Sequence, residues 1–440
     1  MKNTYVLGFI AGAFLFSLSL SFFVPMVFSV EKQFLPSLSI TEEYTDNFNR
    51  TKNNKDDEFS TKYKPGFSFG LMEKENSLFF EYYPQYTDYN DKNQYDAWGH
   101  SASLEAFYKA AKNTGLSFSD TFNRGYGRTV RTNSLEQHDT NSTIAALQHQ
   151  FGKNDFFKLS YAYSFDNYEN PSRDEFDSHR PSAYLMYWFS PLYGFDVNTS
   201  YSKTNYKISS DDPETLRGDF RLIRKVNPHF DAYVKYAQTH TDQNSGNHTV
   251  YNPSVGFSWN PTDDSGITLG GGVLFQDYEN RTNYDKEKFF LDFDLYKIFE
   301  VSKRSMISIT GSSSYNDIDE TASSLGFVTK YQAGILHTYD LTKQLSSELR
   351  GSYRISSYDD PRINREDKIM SLGAGLNWSL LRWMSLNVSY RFSDFTSSDL
   401  IREDYQEHTA FVSINLKPST PFKMKSSSSR SILEDKIFND

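Results

Sequence analysis

Apolar and polar residues alternate along most of the chain, most clearly near its C-terminal end. Between Lys368 and Lys417, three segments place apolar side chains at every second position, separated by a short turn at Leu381–Trp383 and a polar loop at Asp394–Asp404. Since successive side chains of a β-strand point to opposite faces, each segment predicts a strand with one apolar and one polar face. Strands joined alternately by short turns and long polar loops are typical of a transmembrane β-barrel.

The same alternation begins at Phe34 and continues through the chain, with no sustained helical period. Short connections such as Glu73–Asn76 alternate with longer charged ones such as Asp359–Asp367. The sequence therefore predicts an all-β fold, a transmembrane antiparallel up-and-down β-barrel of about 20 strands (roughly 18–20), with short periplasmic turns and longer extracellular loops. The range reflects two weaker segments, Thr143–Phe151 and Asp231–Gln238.

Composition agrees with a thin wall rather than a solid core. The chain of 440 residues has 17% aromatic residues but a mean hydropathy of −0.64, and it contains no cysteine. The alternative, a secreted soluble β-repeat protein, would need a second buried apolar layer, and the polar alternate face argues against that. The net charge of −10 argues against a nucleic-acid partner, which requires a basic surface.

The two ends of the chain do not follow the barrel pattern. Residues 1–29 resemble a secretory signal peptide with Lys2 before an apolar run, and we place cleavage after Ser29. An uncleaved membrane anchor is the alternative, because the apolar run is long enough to span. The predicted barrel occupies residues 30–417, and residues 418–440 form a predicted polar tail in the periplasm.

Aromatic residues fall into two predicted groups. Those near strand ends indicate the aromatic girdles that mark the membrane interfaces of β-barrels. A second group lies on the inner face by alternation and could form stacking platforms for sugars. The girdle candidates are Tyr82, Tyr86, Trp188, Phe189, Tyr193, Trp259, Trp378 and Trp383, and the inner-face candidates are Phe79, Tyr83, Tyr184, Trp188 and Tyr296.

Ionisable residues on the polar face are the candidate functional residues, because a barrel of this size encloses room for a hydrated lumen. They could select solutes, or they could brace the wall by pairing across strands, and the sequence leaves both open. The candidate lumen-lining residues are Lys62, Lys64, Glu81, Glu105, Lys109, Lys158, Asp166, Arg217, Asp219, Arg221, Asp292, Asp294, Glu348, Arg350, Arg354 and Arg391.

Motifs for catalysis or metal binding are weak. Gly99–Ser103 lacks the closing glycine and the strand–turn–helix context of a nucleophile elbow. Gly270–Gly272 is followed by no helix or lysine, so we interpret it as small residues where a strand is crowded. No His-Glu-x-x-His motif or cysteine ligand set is present. The sequence thus predicts no enzyme, no metal site and no cofactor.

The start of the predicted mature chain, Leu35–Asn47, carries a family resemblance. Its Pro-containing first strand ending in Tyr-Thr-Asp-Asn resembles the opening strand of β-barrel porins encoded with exopolysaccharide systems in Gram-negative bacteria. The resemblance implies an outer-membrane porin-like channel, a conduit in exopolysaccharide export. The expected partners are outer-membrane lipid and lipopolysaccharide, the barrel-assembly machinery, and the exopolysaccharide or its export proteins. The alternative is a non-transporting surface barrel that acts as an adhesion or assembly platform.

Overall fold

The computed structural model describes residues 31–128, 135–170, 173, 175–209, 212–244, 246–279, 286–316, 327–360, 363–398 and 403–418. The predicted signal peptide and nearly all of the predicted tail lie outside these residues. No helix among them is long and apolar enough to cross a membrane. The strands are β1 (Glu31–Thr45), β2 (Glu58–Glu73), β3 (Asn76–Tyr89), β4 (Ala97–Ala111), β5 (Thr114–Arg128), β6 (Leu135–Gln150), β7 (Phe156–Tyr168), β8 (Phe176–Trp188), β9 (Tyr193–Tyr206), β10 (Glu214–Asn227), β11 (Phe230–Asp242), β12 (His248–Thr262), β13 (Ser265–Tyr278), β14 (Lys286–Ser302), β15 (Ser305–Asn316), β16 (Phe327–Asp340), β17 (Leu345–Asp360), β18 (Ile363–Leu381), β19 (Met384–Ser397) and β20 (Tyr405–Leu416).

Each strand pairs antiparallel with its neighbours in sequence, and the sheet closes on itself. Closure joins β1 to β20 through residues Leu38–Thr45 and Thr409–Leu416. The predicted up-and-down barrel is confirmed, and the two weaker segments are the strands β6 and β11. Because the ring is closed, its backbone hydrogen bonds are satisfied without an open edge along most of its height, as a membrane-spanning sheet requires.

One predicted loop, Asp359–Asp367, is wrong. The structure continues β17 to Asp360 and begins β18 at Ile363. Arg365 and Asp367 form a buried ion pair in β18, with guanidinium and carboxylate 2.5 Å apart. Their charges suggested a solvated loop, but the two residues satisfy each other inside the wall.

The registers assign every strand position to one face of the wall. Residues directly opposite each other in neighbouring strands share a face, and following these pairs around the ring returns to the starting face. One face carries the exposed apolar side chains, such as Phe289 (68% exposed) and Val255 (60%). This is the outward face, and the opposite one lines the lumen.

The predicted girdle residue Trp188 is misassigned, whereas Trp259 and Trp378 are exposed on the outward face and Trp383 is exposed in the turn between β18 and β19. Trp188 shares the inner face of β8 with Tyr184, and the ammonium of Lys225 lies 4.6 Å from its ring. Its position at a strand end suggested an interface, but alternation alone places it inside.

The outer end of the β15–β16 hairpin departs from the cylinder. The β14–β15 ladder stops at Asp294 and Ser312, and beyond it the Ser313 hydroxyl accepts a hydrogen bond from the Phe293 N–H at 2.7 Å. The β15–β16 ladder itself continues without a shift. Tyr315 therefore lies on the same face as Ile309, yet it packs on inner-face residues of the neighbouring strands. Residues 313–316 and 327–331, which we call the hairpin tip, are thus tucked inside the barrel.

Candidate functional site: the barrel lumen

The predicted lumen residues all lie on the inner face of the wall. Many are paired on the wall itself. Arg221 on β10 binds Asp196 on β9, with 2.6 Å between guanidinium and carboxylate. Lys62 pairs with Glu43 on β1. Such pairs fix neighbouring strands to each other and leave little net charge facing the lumen at those positions.

Two further pairs lie within a single strand, so they neutralise charge at the wall without joining neighbouring strands. The Arg217 guanidinium lies 3.3 Å from Asp219 and the Arg350 guanidinium 3.1 Å from Glu348, in each case two residues apart on one strand. The Nδ1 atom of His138 lies 2.9 Å from a carboxylate oxygen of Asp166, within hydrogen-bond distance. Lys109 lies at the periplasmic rim, where it pairs with Glu75.

Four predicted lumen cations differ, because none of them forms an ion pair with another described residue: Lys64 on β2, Lys158 on β7, Arg354 on β17 and Arg391 on β19. Arg354 is exposed to the lumen, and Lys158 stands on an inner face with no buried neighbour on its own strand. Unpaired cations facing a hydrated lumen act on passing solutes, whereas paired ones act mainly on the wall. These cations therefore keep their charge facing the lumen.

The hairpin tip covers the inner faces of β11–β14, which we call the covered wall. Val250, Leu274 and Phe290 come from three successive strands of this wall and form one buried cluster with Tyr315 of the tip. The rings of Phe290 and Tyr315 meet edge to face at 5.3 Å. Lys288 also donates a hydrogen bond across to Thr329 at 3.0 Å. The tip is therefore docked by apolar packing and polar contacts together.

Two contacts show how tightly the wall curves around the tip. The Arg217 guanidinium on β10 lies 5.5 Å from the ring centre of Tyr315 on β15. Five strand intervals separate these strands, a path of about 24 Å along the wall. The Lys235 ammonium on β11 likewise reaches Asp292 on β14 at 3.4 Å. Contacts between non-neighbouring strands can form only across the concave face, so the lumen is narrowed here.

The inner faces of β5–β8, which we call the open wall, carry no such cover among the described residues. Their inner side chains include Ser119, Thr121 and Lys158, and none of the inner side chains of these strands is buried. Ile144 on β6 remains 43% exposed although it points into the barrel. The free part of the lumen thus lies along the open wall.

Inner-face aromatic rings lie against glycines of the adjacent strand. A Cβ on Gly194 would come 2.7 Å from the Trp188 ring, and one on Gly70 would come 3.1 Å from Phe79. Tyr83 lies on Gly66 and Tyr296 on Gly266 in the same way. Such pairs stabilise curved sheets because the ring covers a bare stretch of backbone. The Lys64 ammonium also lies 5.1 Å from the centre of the Tyr83 ring. Several of the aromatic rings predicted to stack on sugars therefore already contact other residues of the barrel wall.

The first outer loop is held against a neighbouring strand, which the alternation did not indicate. The Asn47 side-chain amide donates to the carbonyls of Thr51 and Gln406, both at 2.8 Å. The Arg50 guanidinium pairs with Glu407 at 3.0 Å. These contacts hold the loop against β20. Asp46 and Asn47 at the end of β1 are residue types that favour turns, but nothing in the sequence shows where the loop docks.

No group of three or more His, Asp or Glu side chains among the described residues could hold a metal ion. Where polar groups converge, they pair with one another.

Comparisons with known proteins agree with this architecture. Residues 300–418 match a family described as "Putative beta-barrel porin 2". No curated protein sequence matches the chain. Two solved structures have similar folds. The FrpB iron transporter of Neisseria meningitidis (F5-1 variant) is 8% identical with a TM-score of 0.50, over 87% of this chain and 82% of that one. A variant of the ferric enterobactin receptor of Pseudomonas aeruginosa with enterobactin is 9% identical with a TM-score of 0.50, over 88% and 81%. At such low identity the likeness extends to the fold only. The chain is an outer-membrane β-barrel, and its residues 300–418 match a family of β-barrel porins.

Proposed function

We propose that the barrel is a conduit for hydrophilic solutes and not an enzyme, with the open wall as the path and the hairpin tip as its constriction. The observation that carries this proposal is the asymmetry of the lumen. Polar inner side chains of β5–β8 face free space, while those of β11–β14 are covered. A barrel that served only as a platform would have no use for an unobstructed polar wall.

An exopolysaccharide is the cargo that we propose for this path. A polysaccharide offers hydroxyl groups to polar side chains, and the C–H faces of its rings fit the electron-rich faces of aromatic rings. Ser119, Thr121 and Asn123 line the open wall as hydrogen-bonding side chains. The inner-face ring of Tyr184 on β8 lies at its edge. Support for the cargo also comes from the resemblance of Leu35–Asn47.

Single-channel conductance of the folded protein in a planar bilayer tests the conduit. We expect stable current steps that neutral or acidic polysaccharide added to one side reduces in a concentration-dependent way. The Tyr315→Ala variant should increase the step size, because the tip loses its anchor. An outward-facing control, Val255→Ala, should leave the step unchanged. Folded protein that gives no steps, in the wild type and in Tyr315→Ala alike, would contradict the conduit and favour the platform. Steps that polysaccharide leaves unaffected would contradict the cargo alone.

A further inference from the structure

A small polar cluster faces outward in the middle of β5 and β6, where the surface is otherwise apolar. Asp120 on β5 lies directly opposite Thr143 on β6. One oxygen of its carboxylate accepts hydrogen bonds from the Thr143 hydroxyl at 2.5 Å and from the Asn141 amide at 3.1 Å. All three residues share the face of Phe118 and Leu116, which are exposed apolar side chains.

The depth of this cluster makes it unusual. Asp120 stands between Phe118 and Phe122 along the outward face of β5, so it lies inside the apolar belt. At mid-strand positions, the neighbouring strands carry outward-facing residues such as Leu104 and Tyr163. A carboxylate on the lipid face at this depth is costly, and polar residues within membranes usually meet protein. The cluster therefore indicates a protein neighbour rather than acyl chains.

A charged pair lies two outward-facing positions nearer the outside on the same two strands. Arg124 and Asp139 are direct register partners, and their guanidinium and carboxylate are 3.3 Å apart on the outward face. Residues that are register partners lie at nearly the same depth. A symmetry axis along the membrane normal preserves depth, so it would bring Arg124 of one copy to the level of Asp139 of another. Asp120 would similarly meet Asn141 and Thr143.

The surrounding surface permits close approach. Ala102 and Ala106 on β4 and Ala145 on β6 are outward-facing small residues that flank the cluster. Small side chains with interspersed hydrogen-bonding groups are what membrane-embedded interfaces use, since lipid supplies no hydrophobic driving force. Four strands at about 4.8 Å spacing and a belt about 25 Å tall give a footprint near 500 Å² per copy. That is about 1,000 Å² in total, the lower bound for a specific interface.

We propose that the outward face of β4–β7 is an interface with a second copy of this chain, packed in the membrane about an axis along the membrane normal. The polar cluster forms its centre, and the Arg124–Asp139 pair exchanges partners between the copies at its outer edge. Such a face is self-complementary, as a two-fold interface requires. This proposal is independent of what the lumen transports.

Single-cysteine cross-linking tests the interface directly, because the chain contains no native cysteine. Ala145→Cys lies beside the cluster, and Leu349→Cys on β17 is a matched control that is also outward-facing. After oxidation in intact outer membranes, we expect Ala145→Cys to run as a dimer that reduction abolishes, and Leu349→Cys to remain monomeric. If Ala145→Cys stays monomeric, or if both variants dimerise equally, the proposal is overturned.

A second measurement covers the role of the polar cluster itself. In detergent, analytical ultracentrifugation of the Asp120→Leu, Asn141→Leu double variant should show loss of the dimer, while heat-modifiable gel migration shows that the barrel still folds. Thr199→Val on β9 removes another outward polar group at similar depth and should keep the dimer. A wild type that is monomeric in both detergent and membranes, or a double variant that stays dimeric, would contradict the assignment.

Discussion

The open wall and the covered wall carry similar inner side chains but meet different surroundings. On β5, Ser119 and Thr121 face free lumen, whereas on β12, Asn252 and Ser254 are buried beneath the hairpin tip. The difference does not come from the polarity of the strands. It comes from what stands opposite them. In a barrel, whether an inner side chain is solvated is decided by elements that sequence neighbours do not reveal.

The covered wall also holds polar groups at a cost. Among the described residues, neither the oxygen nor the nitrogen of the Asn252 side-chain amide has a hydrogen-bond partner. A buried polar group left unsatisfied costs about 1–3 kcal/mol. The apolar cluster of Phe290 and Tyr315 must offset this cost for the tip to stay docked. The tip is therefore held by a small number of rings, and the following predictions test that contrast.

The largest effect is expected from Phe290→Ala. Phe290 is 1% exposed and packs on Tyr315, so its loss should lower the free energy of unfolding by about 3–5 kcal/mol. Ile144→Ala on the open wall removes a half-exposed side chain and should cost less than about 1 kcal/mol. Denaturant unfolding in lipid vesicles measures both. Equal losses would mean that the two walls are equally packed.

A smaller effect is expected from Arg221→Ala. Asp196 is 6% exposed, and without Arg221 its carboxylate would lose its ion pair, which should cost about 1–3 kcal/mol of unfolding free energy. Lys158→Ala on the open wall should change stability by less than about 0.5 kcal/mol. The same unfolding measurement compares the two. If Arg221→Ala leaves the free energy of unfolding unchanged, the ion pair with Asp196 does not stabilise the wall.

Glycine substitutions sharpen the contrast further. A Cβ on Gly256 of the covered wall would lie 2.5 Å from the Tyr233 hydroxyl, whereas one on Gly125 of the open wall would meet nothing within 4 Å. Gly256→Ala should therefore destabilise by about 1–2 kcal/mol, and Gly125→Ala should be neutral or stabilise by a few tenths. Thermal unfolding followed by gel mobility reports both changes. If Gly125→Ala clearly lowers the unfolding temperature, the space beside Gly125 on the open wall is occupied.

The smallest stability effect, but a clear functional one, is expected from Lys158→Gln. Removing an unpaired cation from the open path should shift the reversal potential toward cation selectivity. Lys235→Gln changes a cation that already pairs with Asp292 beneath the tip, so its shift should be smaller. Reversal potentials in a salt gradient give both values. A larger shift from Lys235→Gln would place the ion path along the covered wall.

The alternation of residues was sufficient to predict the barrel, the strand faces and the lumen charges. It could not predict the tucked tip, because Ile309 and Tyr315 continue one unbroken period while the first faces lipid and the second faces protein. The alternation shows which residues share a face of a strand, but it does not show whether that face contacts lipid, water or another part of the protein. Gly270–Gly272 was the one local hint. The structure places Gly270 under the Tyr233 ring, where a side chain would not fit.

The closing of the ring through β1 and β20 has a consequence for how the protein is made. The Thr41 and Ser413 hydroxyls that meet across this seam, 2.8 Å apart, are 372 residues apart in sequence. Joining the ends of so long a chain costs about 5 kcal/mol in loop-closure entropy, and it can happen only after the last strand has been synthesised. Until then both terminal strands present open edges, which favour aggregation. The nascent chain thus depends on protection of its first strand until its last one arrives.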